Sequence, residues 1–304
     1  MRVGILGSGR RGQALARLVL VAGNEPFVAY RSRYERPPKI IPSSAHPPDV
    51  SASCELLFLA TSASELRSAL RLARPSAANR ILIAGCGLEP DSGRWLSEVV
   101  REECDSRAIG ALAGPAPAEE MLNGGLCAGV FASTDVDLRE QATAALHSNR
   151  YRVYASQDLA GVEFAGAAMP VLATMIGMVT SLQGAGVGLH AMVVARGLEE
   201  MSRIARTLGA HPATLGGLAG IGDLVAVQSR PAHPHFRAGA ALARGDRTQG
   251  PRALAETLLA LARKNSVEAP LLDSLVATWR GLAPLDAVSE MMSQKAQPEF
   301  ATPW

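Results

Sequence analysis

The chain has 304 residues, of which 48% are hydrophobic, and its 30 basic and 28 acidic side chains give a formal net charge of +2. That length suits two domains of ~100–200 residues each, and the hydrophobic content is enough to fill their cores. A nearly balanced charge excludes a protein that binds nucleic acid or an anionic membrane through a broad positive field. We therefore expect a folded globular protein that acts on a small molecule held by local groups.

The spacing of the cysteines indicates whether the protein belongs to a reducing or an oxidising cellular compartment. The four cysteines lie far apart, without the paired spacing of a zinc site or a disulfide framework: Cys54, Cys86, Cys104 and Cys127. The first residues run straight into a glycine-rich turn and lack the features of a secretory signal peptide. These observations favour a reducing, cytoplasmic setting and predict no metal site.

The first half of the chain has the pattern of a parallel sheet with crossover helices, because short apolar runs alternate with helical stretches up to about residue 156. The predicted strands are residues 3–6, 27–30, 56–60, 81–84 and 128–132, with a helix at 13–22. Five prolines crowd residues 31–50 and predict an irregular connection there.

After residue 154 the periodicity becomes helical and no further strand is needed. The predicted helices are residues 159–182, 189–208, 252–264 and 270–282, and residues 229–236 are predicted to form an ordered loop. Residues 164–182 approach the length of a membrane span, but Pro170 and the Gly, Ala and Thr content favour a buried core helix. We expect a dinucleotide-binding Rossmann domain at 1–156 and an all-helical substrate domain at 157–304.

A glycine-rich turn follows the first strand directly and opens a helix, which is the context that makes a GxGxxG pattern meaningful. The first glycine permits a tight turn, the second lets the backbone approach a pyrophosphate, and the third lets helix and strand pack closely. The alternative is a purely structural turn. The pattern predicts six cofactor-binding residues: Gly7, Ser8, Gly9, Arg10, Arg11 and Gly12.

The end of the second strand bears on the choice of dinucleotide, since a carboxylate there binds the ribose 2′-hydroxyl of NAD. No acidic residue stands at this place, whereas Arg31 and Arg33 are suited to a 2′-phosphate. The sequence therefore favours NADP over NAD, with solvated loop arginines as the alternative.

Seven motifs occur along the chain in a characteristic order: residues 7–12 (GSGRRG), 87–90 (GLEP), 114–120 (GPAPAEE), 152–154 (RVY), 161–163 (GVE), 196–201 (RGLEEM) and 217–225 (GLAGIGDLV). In this order and spacing the chain resembles the NAD(P)-dependent glycerol-3-phosphate dehydrogenase family over nearly its whole length. The resemblance implies an α/β Rossmann domain with a parallel sheet, followed by an all-α domain similar to the C-terminal domain of 6-phosphogluconate dehydrogenase. It also implies hydride transfer between nicotinamide and dihydroxyacetone phosphate or glycerol 3-phosphate, an active site between the domains, and a homodimer.

The resemblance fails at most positions that carry the family's chemistry. The catalytic lysine and the asparagine after it correspond here to Met169 and Pro170, and a second lysine corresponds to Cys86. A thioether cannot donate a proton. Asp223 matches the family's active-site aspartate.

The phosphate-binding positions have changed as well. Aligned without gaps, the family's threonine and its Arg–Asn pair fall at Val227, Pro234 and His235; another register would bring Arg230 or Arg237 to the phosphate. Two interpretations follow. One is an oxidoreductase rebuilt for a less anionic carbonyl, imine or alcohol, and the other is a catalytically inactive nucleotide-binding protein with a regulatory or interaction role.

A rebuilt site needs a proton donor, and histidine, with a pKa near ~6.5, is the best remaining type. We take Asp223, His190 and His235 as the candidate catalytic residues. The alternatives are exposed histidines without a role and an aspartate that caps the helix after it. Gln249 corresponds to a segment that approaches the nicotinamide in the family, which makes it a further cofactor candidate, with a simple turn as the alternative.

Overall fold

The computed structural model describes residues 1–30, 41–90, 92–106, 108–230 and 232–293. The chain divides into two compact units: the first comprises residues 1–170 and 201–229, and the second comprises residues 171–200 together with the chain from residue 230 onward. The expected domain boundary between residues 156 and 157 stays a prediction.

A mostly parallel sheet forms the first unit. Its strands are β1 (Arg2–Leu6), β2 (Glu25–Ala29), β3 (Ser43–Ser44), β4 (Leu56–Leu59), β5 (Arg80–Ile83), β6 (Ile109–Ala113), β7 (Cys127–Ser133) and β8 (Tyr151–Ser156). They lie in the order β3-β2-β1-β4-β5-β6-β7-β8. Neighbouring strands are parallel except β6 and β7, which are antiparallel. The predicted α/β Rossmann class is confirmed.

Helices cover the sheet and build the second unit. Those of the first unit are α1 (Arg10–Val21), α2 (Pro47–Ser53), α3 (Leu66–Ala73), α4 (Leu96–Glu103), α5 (Ala118–Leu122) and α6 (Val136–Leu146). The long helices α7 (Leu159–Thr180) and α8 (Val187–Thr207) contribute residues to both units, and α9 (Asp223–Gln228) belongs to the first. The second unit adds α10 (Pro234–Ala243), α11 (Arg252–Lys264), α12 (Pro270–Arg280) and α13 (Pro284–Ser293).

The sheet buries apolar side chains on both faces, as expected of a parallel sheet between helix layers. Ile5 and Phe58 pack with Leu15 of α1 on one face, while Leu57 and Leu70 belong to the core of the other face. At the two edges lie β3, which has two residues, and β8, where the Arg152 guanidinium sits 5.3 Å from the centre of the Tyr154 ring. Because the central strands are covered on both faces, a ligand can reach the sheet only at the ends of its strands, and we expect a site at the carboxyl ends of β1, β2 and β4.

All five predicted strands are present, with bounds shifted by at most two residues, but β3, β6 and β8 were not predicted. The expected irregular connection over residues 31–50 is wrong in its described part, because β3 and the first residues of α2 lie there; residues 31–40 fall outside the described residues. The expected loop at 229–236 is too long, because α10 already begins at Pro234. In both segments a proline, Pro47 or Pro234, occupies the first helical turn, where its missing N–H costs nothing.

Helix α7 is long and apolar enough to cross a membrane by length and composition, but 89% of its most apolar window is buried inside the protein. This agrees with the prediction of a core helix. Pro170 lies within α7 and removes the backbone donor to the carbonyl of Gly166. Within the second unit, α7 and α10 approach so closely that a Cβ at Gly177 or Gly239 would collide with backbone atoms of the other helix.

Candidate functional site

A cavity of about 510 Å³ lies in the first unit at the carboxyl ends of β1, β2 and β4. Its lining includes most of the glycine-rich turn, the residue after β2 and the segment after β4: Gly7, Ser8, Gly9, Arg10, Arg11, Tyr30, Thr61 and Ser62. Dinucleotides bind at this edge of open α/β sheets, beside the first strand. The cavity therefore lies beside the glycine-rich turn, and cofactor binding by the residues of this turn stays a prediction.

The three glycines of the turn meet three different spatial demands. Gly7 has a φ of +114°, and a Cβ there would lie 2.9 Å from the carbonyl oxygen of Ala60. A Cβ at Gly12 would collide with the carbonyl oxygen of Gly7. At Gly9, by contrast, no described atom lies within 4 Å of the Cβ position. A ligand can approach the backbone closely at Gly9, as a pyrophosphate requires.

Polar groups around the turn suit an anionic ligand. Helix α1 begins at Arg10 without a side-chain cap and without an acidic residue in its first turn, so its N-terminal N–H groups face the cavity side with a positive partial charge. The hydroxyl oxygens of Ser8 and Thr61 are buried and accept or donate no hydrogen bond within the described residues. These residues fit the pyrophosphate and polar edges of a nicotinamide dinucleotide.

The two arginines of the turn differ. Arg10 is exposed, and its guanidinium lies 3.8 Å from the Glu119 carboxylate. Arg11 is half-buried, and its Nε has no hydrogen-bond partner among the described residues. Arg31 and Arg33 lie outside the described residues, so the preference for NADP stays a prediction.

Asp223 is the first residue of α9, and it makes no capping hydrogen bond to this helix, whose N-cap is Gly222. Burial raises the pKa of Asp223 to about 6, against an opposing effect of the Arg11 charge. A carboxyl group with this pKa exchanges its proton close to neutral pH, as a general acid or base must. The structure supplies no hydrogen bond that would make Asp223 a helix cap.

The two sulfur side chains that stand at the family's lysine positions belong to one region of the first unit. Cys86 is exposed after β5 and packs against α7, because a Cβ at Gly166 would lie 3.8 Å from its Sγ. Met169 lies one helical turn after Gly166 and is 1% exposed. Surrounding protein raises the pKa of the Cys86 thiol, while the charge of Arg11 lowers it. Neither side chain replaces the lost positive charge.

The remaining predicted residues belong to the second unit. His190 Nδ1 lies 2.9 Å from Oγ1 of Thr180, whose hydroxyl donates to the carbonyl of Ile176. The His235 ring lies 5.4 Å from that of His233, and burial lowers the pKa of His235 to about 4, so it is neutral at physiological pH. Convergence of these histidines with Asp223 stays a prediction.

Gln249 lies in the turn before α11, where its side-chain amide donates to Asp246 at 2.9 Å. Its backbone carbonyl accepts from the indole of Trp279 at 3.2 Å. These contacts are those of a turn residue, and a contact of Gln249 with the cofactor stays a prediction.

Sequence reasoning missed several side chains at the site. Thr61 and Ser62 follow β4 directly, and their place after a predicted strand next to the first one was a usable signal. Tyr30, which follows β2 and also lines the cavity, was likewise not named as a site residue. In the part of the chain that the structure describes, no group of three or more His, Cys, Asp or Glu side chains could hold a metal ion.

Family models match most of the chain. The model described as NAD-dependent glycerol-3-phosphate dehydrogenase N-terminus matches residues 29–139, and the corresponding C-terminus model matches residues 158–290. A glycerol-3-phosphate dehydrogenase (NAD(P)+) of Azotobacter vinelandii is 37% identical over 262 residues, which cover 80% of this chain and 76% of that protein. One from Pseudomonas fluorescens is 35% identical over 261 residues, with the same two coverages.

Solved structures show the same fold. The crystal structure of glycerol-3-phosphate dehydrogenase from Coxiella burnetii superimposes with a TM-score of 0.84 at 26% identity, covering 96% of this chain and 99% of that one. The Plasmodium falciparum enzyme of the same name gives a TM-score of 0.85 at 15% identity and covers 98% of this chain and 97% of its own.

Proposed function

Because the chain belongs to the NAD-dependent glycerol-3-phosphate dehydrogenase family, we propose that it is an NAD(P)-dependent oxidoreductase whose substrate pocket differs from that of its relatives. Its substrate would be a small carbonyl compound or the corresponding alcohol, other than dihydroxyacetone phosphate and glycerol 3-phosphate. One contrast carries this proposal. The nucleotide turn and Asp223 are retained, while neutral sulfur side chains occupy both lysine positions, Cys86 and Met169.

The cofactor would be held by the backbone of residues 7–12 and by the hydroxyl groups of Ser8 and Thr61, which lack other partners among the described residues. When bound, the nicotinamide supplies or accepts the hydride. The open space at Gly9 supports close approach of the pyrophosphate to the backbone.

Proton transfer falls to Asp223 in this proposal. With its pKa raised to about 6, the carboxylate accepts the hydroxyl proton when an alcohol is oxidised, and the carboxylic acid returns the proton when a carbonyl is reduced. Met169 can take no part in this step, because a thioether has no proton to donate. His190 remains a candidate partner in the transfer, whereas His235, with a pKa of about 4, would take part only as a neutral imidazole and not as the predicted proton donor.

Binding and turnover test the proposal separately. We expect NADPH and NADH fluorescence titrations to show saturable binding, and we expect glycerol 3-phosphate to be oxidised very poorly. A screen of carbonyls and imines for NADPH oxidation then identifies the substrate. Efficient oxidation of glycerol 3-phosphate would show that the gap-free placement of Met169 and Pro234 is wrong.

The second candidate function is a nucleotide-binding protein without catalysis, which the loss of six of the family's seven functional positions favours. Binding of NADPH without turnover across the broad screen would support it. No binding of either nucleotide to the intact chain would exclude both functions.

We also propose that the protein is a cytoplasmic homodimer. The resemblance to the glycerol-3-phosphate dehydrogenase family supports the dimer. The absence of paired cysteine spacing in the sequence supports the cytoplasm. Light scattering after size-exclusion chromatography tests the dimer, and a mass of one chain, 31.8 kDa, would contradict it.

A further inference from the structure

We propose that the first unit carries a second anion site, separate from the cofactor cavity, which binds a small organic phosphate monoester. The site is a cavity of about 270 Å³ lined by α1, the turn after α5 and the segment before β8. No described residue lines both cavities, so the inference does not depend on the proposed function. Four polar side chains line the second cavity: Arg17, Asn123, Asn149 and Arg150.

The first step is the hydrogen bonding of these four side chains. None of them forms a hydrogen bond or an ion pair with another described residue. Arg67 and Arg80 in the same unit contrast with them, because each of these guanidinium groups pairs with at least two carboxylates. The second cavity therefore offers two cations and two amides to a ligand.

The second step is the position of the Arg17 guanidinium. Gly124, in the turn after α5, has a φ of +76°, and a Cβ there would lie 3.1 Å from Nη2 of Arg17. The guanidinium therefore lies over the backbone of this turn. Arg150 lines the same cavity from the start of β8, where its backbone carbonyl accepts from the N–H of Cys127 at 3.0 Å. Both arginines thus extend from well-fixed backbone.

The third step is the balance of charge. The described residues that line the cavity include no aspartate or glutamate, and the nearby Glu120 carboxylate accepts from the Cys127 thiol at 3.8 Å. Two guanidinium groups bring two positive charges, and a phosphate monoester carries roughly −1.5 to −2 at neutral pH. The paired N–H groups of a guanidinium also match phosphate oxygens. A phosphate monoester balances the two arginines, whereas a single carboxylate would balance one.

The apolar lining and the volume limit the rest of the ligand. Leu18 and Met121, at 3% and 2% exposure, give the cavity an apolar floor, and Val21 lies at its side with 42% exposure. The volume is about half that of the cofactor cavity, 270 against 510 Å³. The cavity is too small for a dinucleotide, and it suits a phosphate on a short carbon chain.

Arginine footprinting tests the site residue by residue. Phenylglyoxal modifies exposed guanidinium groups, and peptide mass spectrometry measures the rate at Arg17 and Arg150, both of which are exposed. Arg206 is the control, because it is an exposed arginine of the same unit that lines neither cavity. The probe is glycerol 2-phosphate at constant ionic strength, with NADPH present to fill the cofactor cavity. Succinate and vesicles that contain phosphatidic acid are the comparison ligands.

We expect glycerol 2-phosphate to slow modification of Arg17 and Arg150 several-fold and to leave Arg206 unchanged. Unchanged rates at Arg17 and Arg150 would overturn the inference. Equal protection of all three arginines would also overturn it, because non-specific screening acts on every exposed charge. Equal protection by succinate would exclude the phosphate class, and protection by the vesicles alone would assign these arginines to a membrane surface.

Variants give the second measurement. Calorimetry should show that Arg17→Gln and Arg150→Gln each bind glycerol 2-phosphate at least about tenfold more weakly than the wild-type chain, and that Arg206→Gln binds it equally well. All three substitutions change exposed side chains, so we expect wild-type folding. Wild-type affinity in either Arg17→Gln or Arg150→Gln would show that the two arginines do not share one ligand and would overturn the inference.

Discussion

Two glycines of the nucleotide turn are required for different reasons. Gly12 has no room for a side chain, because a Cβ would collide with the carbonyl oxygen of Gly7 inside the protein. Gly9 has ample room in the protein, so we expect its lack of a side chain to matter for the ligand rather than for the fold. The two positions therefore separate cofactor binding from stability.

We expect Gly9→Ala to weaken NADPH binding by at least about tenfold with little change in Tm, because its methyl group occupies space that only the ligand needs. Gly12→Ala should lower both affinity and Tm. Fluorescence titration and thermal unfolding measure the two effects. Gly188→Ala, on an exposed turn of α8 with no atom near its Cβ position, is the control. An equal loss of Tm in Gly9→Ala and Gly12→Ala would contradict this separation.

Asp223 should make stability depend on pH in a particular direction. Its folded pKa of about 6 lies above the ordinary value of 3.8, so between these values the folded state binds more protons than the unfolded state. The free energy of unfolding therefore falls as the pH rises from 4 to 6, and the full cost is present above pH 7. Asp223→Asn removes this cost.

Urea unfolding should show that Asp223→Asn is more stable than wild type by about 1–3 kcal/mol at pH 8, with the difference vanishing near pH 4. The exposed Asp105→Asn serves as the control. A difference of the same size at both pH values would mean that protonation of Asp223 is not its origin.

At the scale of elements, two buried glutamates on the long helices each fix the start of another helix. Glu163 of α7 accepts hydrogen bonds from the backbone N–H and the hydroxyl of Ser97 in α4, at 2.8 and 2.7 Å. Glu200 of α8 accepts from the backbone N–H groups of Leu271 and Leu272 in α12, at 3.0 and 2.9 Å. Each carboxylate satisfies donors that a helix N-terminus leaves without partners.

Glu200→Gln should destabilise the protein by about 2–3 kcal/mol. The glutamine NH2 group would face one of the two backbone N–H groups, which would lose its acceptor, and Glu200 is only 1% exposed, so water could not replace it. Denaturant unfolding measures the loss. Glu290→Gln, at an exposed position of α13 in the same unit, should change stability by less than about 0.5 kcal/mol. A comparable loss in both variants would argue against the helix-start contact.

The strands that could be predicted and those that could not differ in composition. The runs in β1, β4 and β5 are rich in Val, Ile, Leu and Phe and bounded by turn residues, so their pattern is unambiguous. The β6 sequence IGALA contains one glycine and two alanines, which are uncommon in strands. The Phe131 ring covers Gly110, where a Cβ would collide with it. That contact comes from β7 and is not visible in the local sequence.

The same limit applies to the site. Gly7, Gly9 and Gly12 were predictable because the reason for each glycine lies within the turn or its ligand. The environment of Arg11 was not, since Cys86 and Asp223 come from distant parts of the chain and only the fold sets their distance from it. Local patterns therefore predict the cofactor turn better than the substrate pocket.

At the scale of the whole molecule, neither unit is a continuous stretch of chain. The division falls after Pro170 within α7 and after Glu200 within α8, so the backbone of both helices continues from one unit into the other. If one unit unfolded alone, α7 and α8 would each have to break where they pass from one unit to the other, and backbone hydrogen bonds on both sides of each break would be lost. Unfolding should therefore be a single cooperative event.

Single-tryptophan variants test this cooperativity, since Trp95 lies in the first unit and Trp279, at 2% exposure, in the second. Trp304 is replaced by Phe in both variants. We expect the same unfolding midpoint from both tryptophans and an equal upward shift of both with NADPH, although the cofactor turn belongs to one unit. A shift of the Trp95 transition alone would show that the units unfold independently.

The two edges of the sheet bear on how the protein behaves at high concentration. An exposed edge strand offers unpaired N–H and C=O groups to another molecule and can seed fibrils. Strand β3 offers only two residues for such pairing, and on β8 the stacked pair of Arg152 and Tyr154 adds a charge and bulk along the edge. Neither edge is a good template for intermolecular strand addition, so a sheet whose central strands are almost wholly apolar can remain in solution without assembling through its edges.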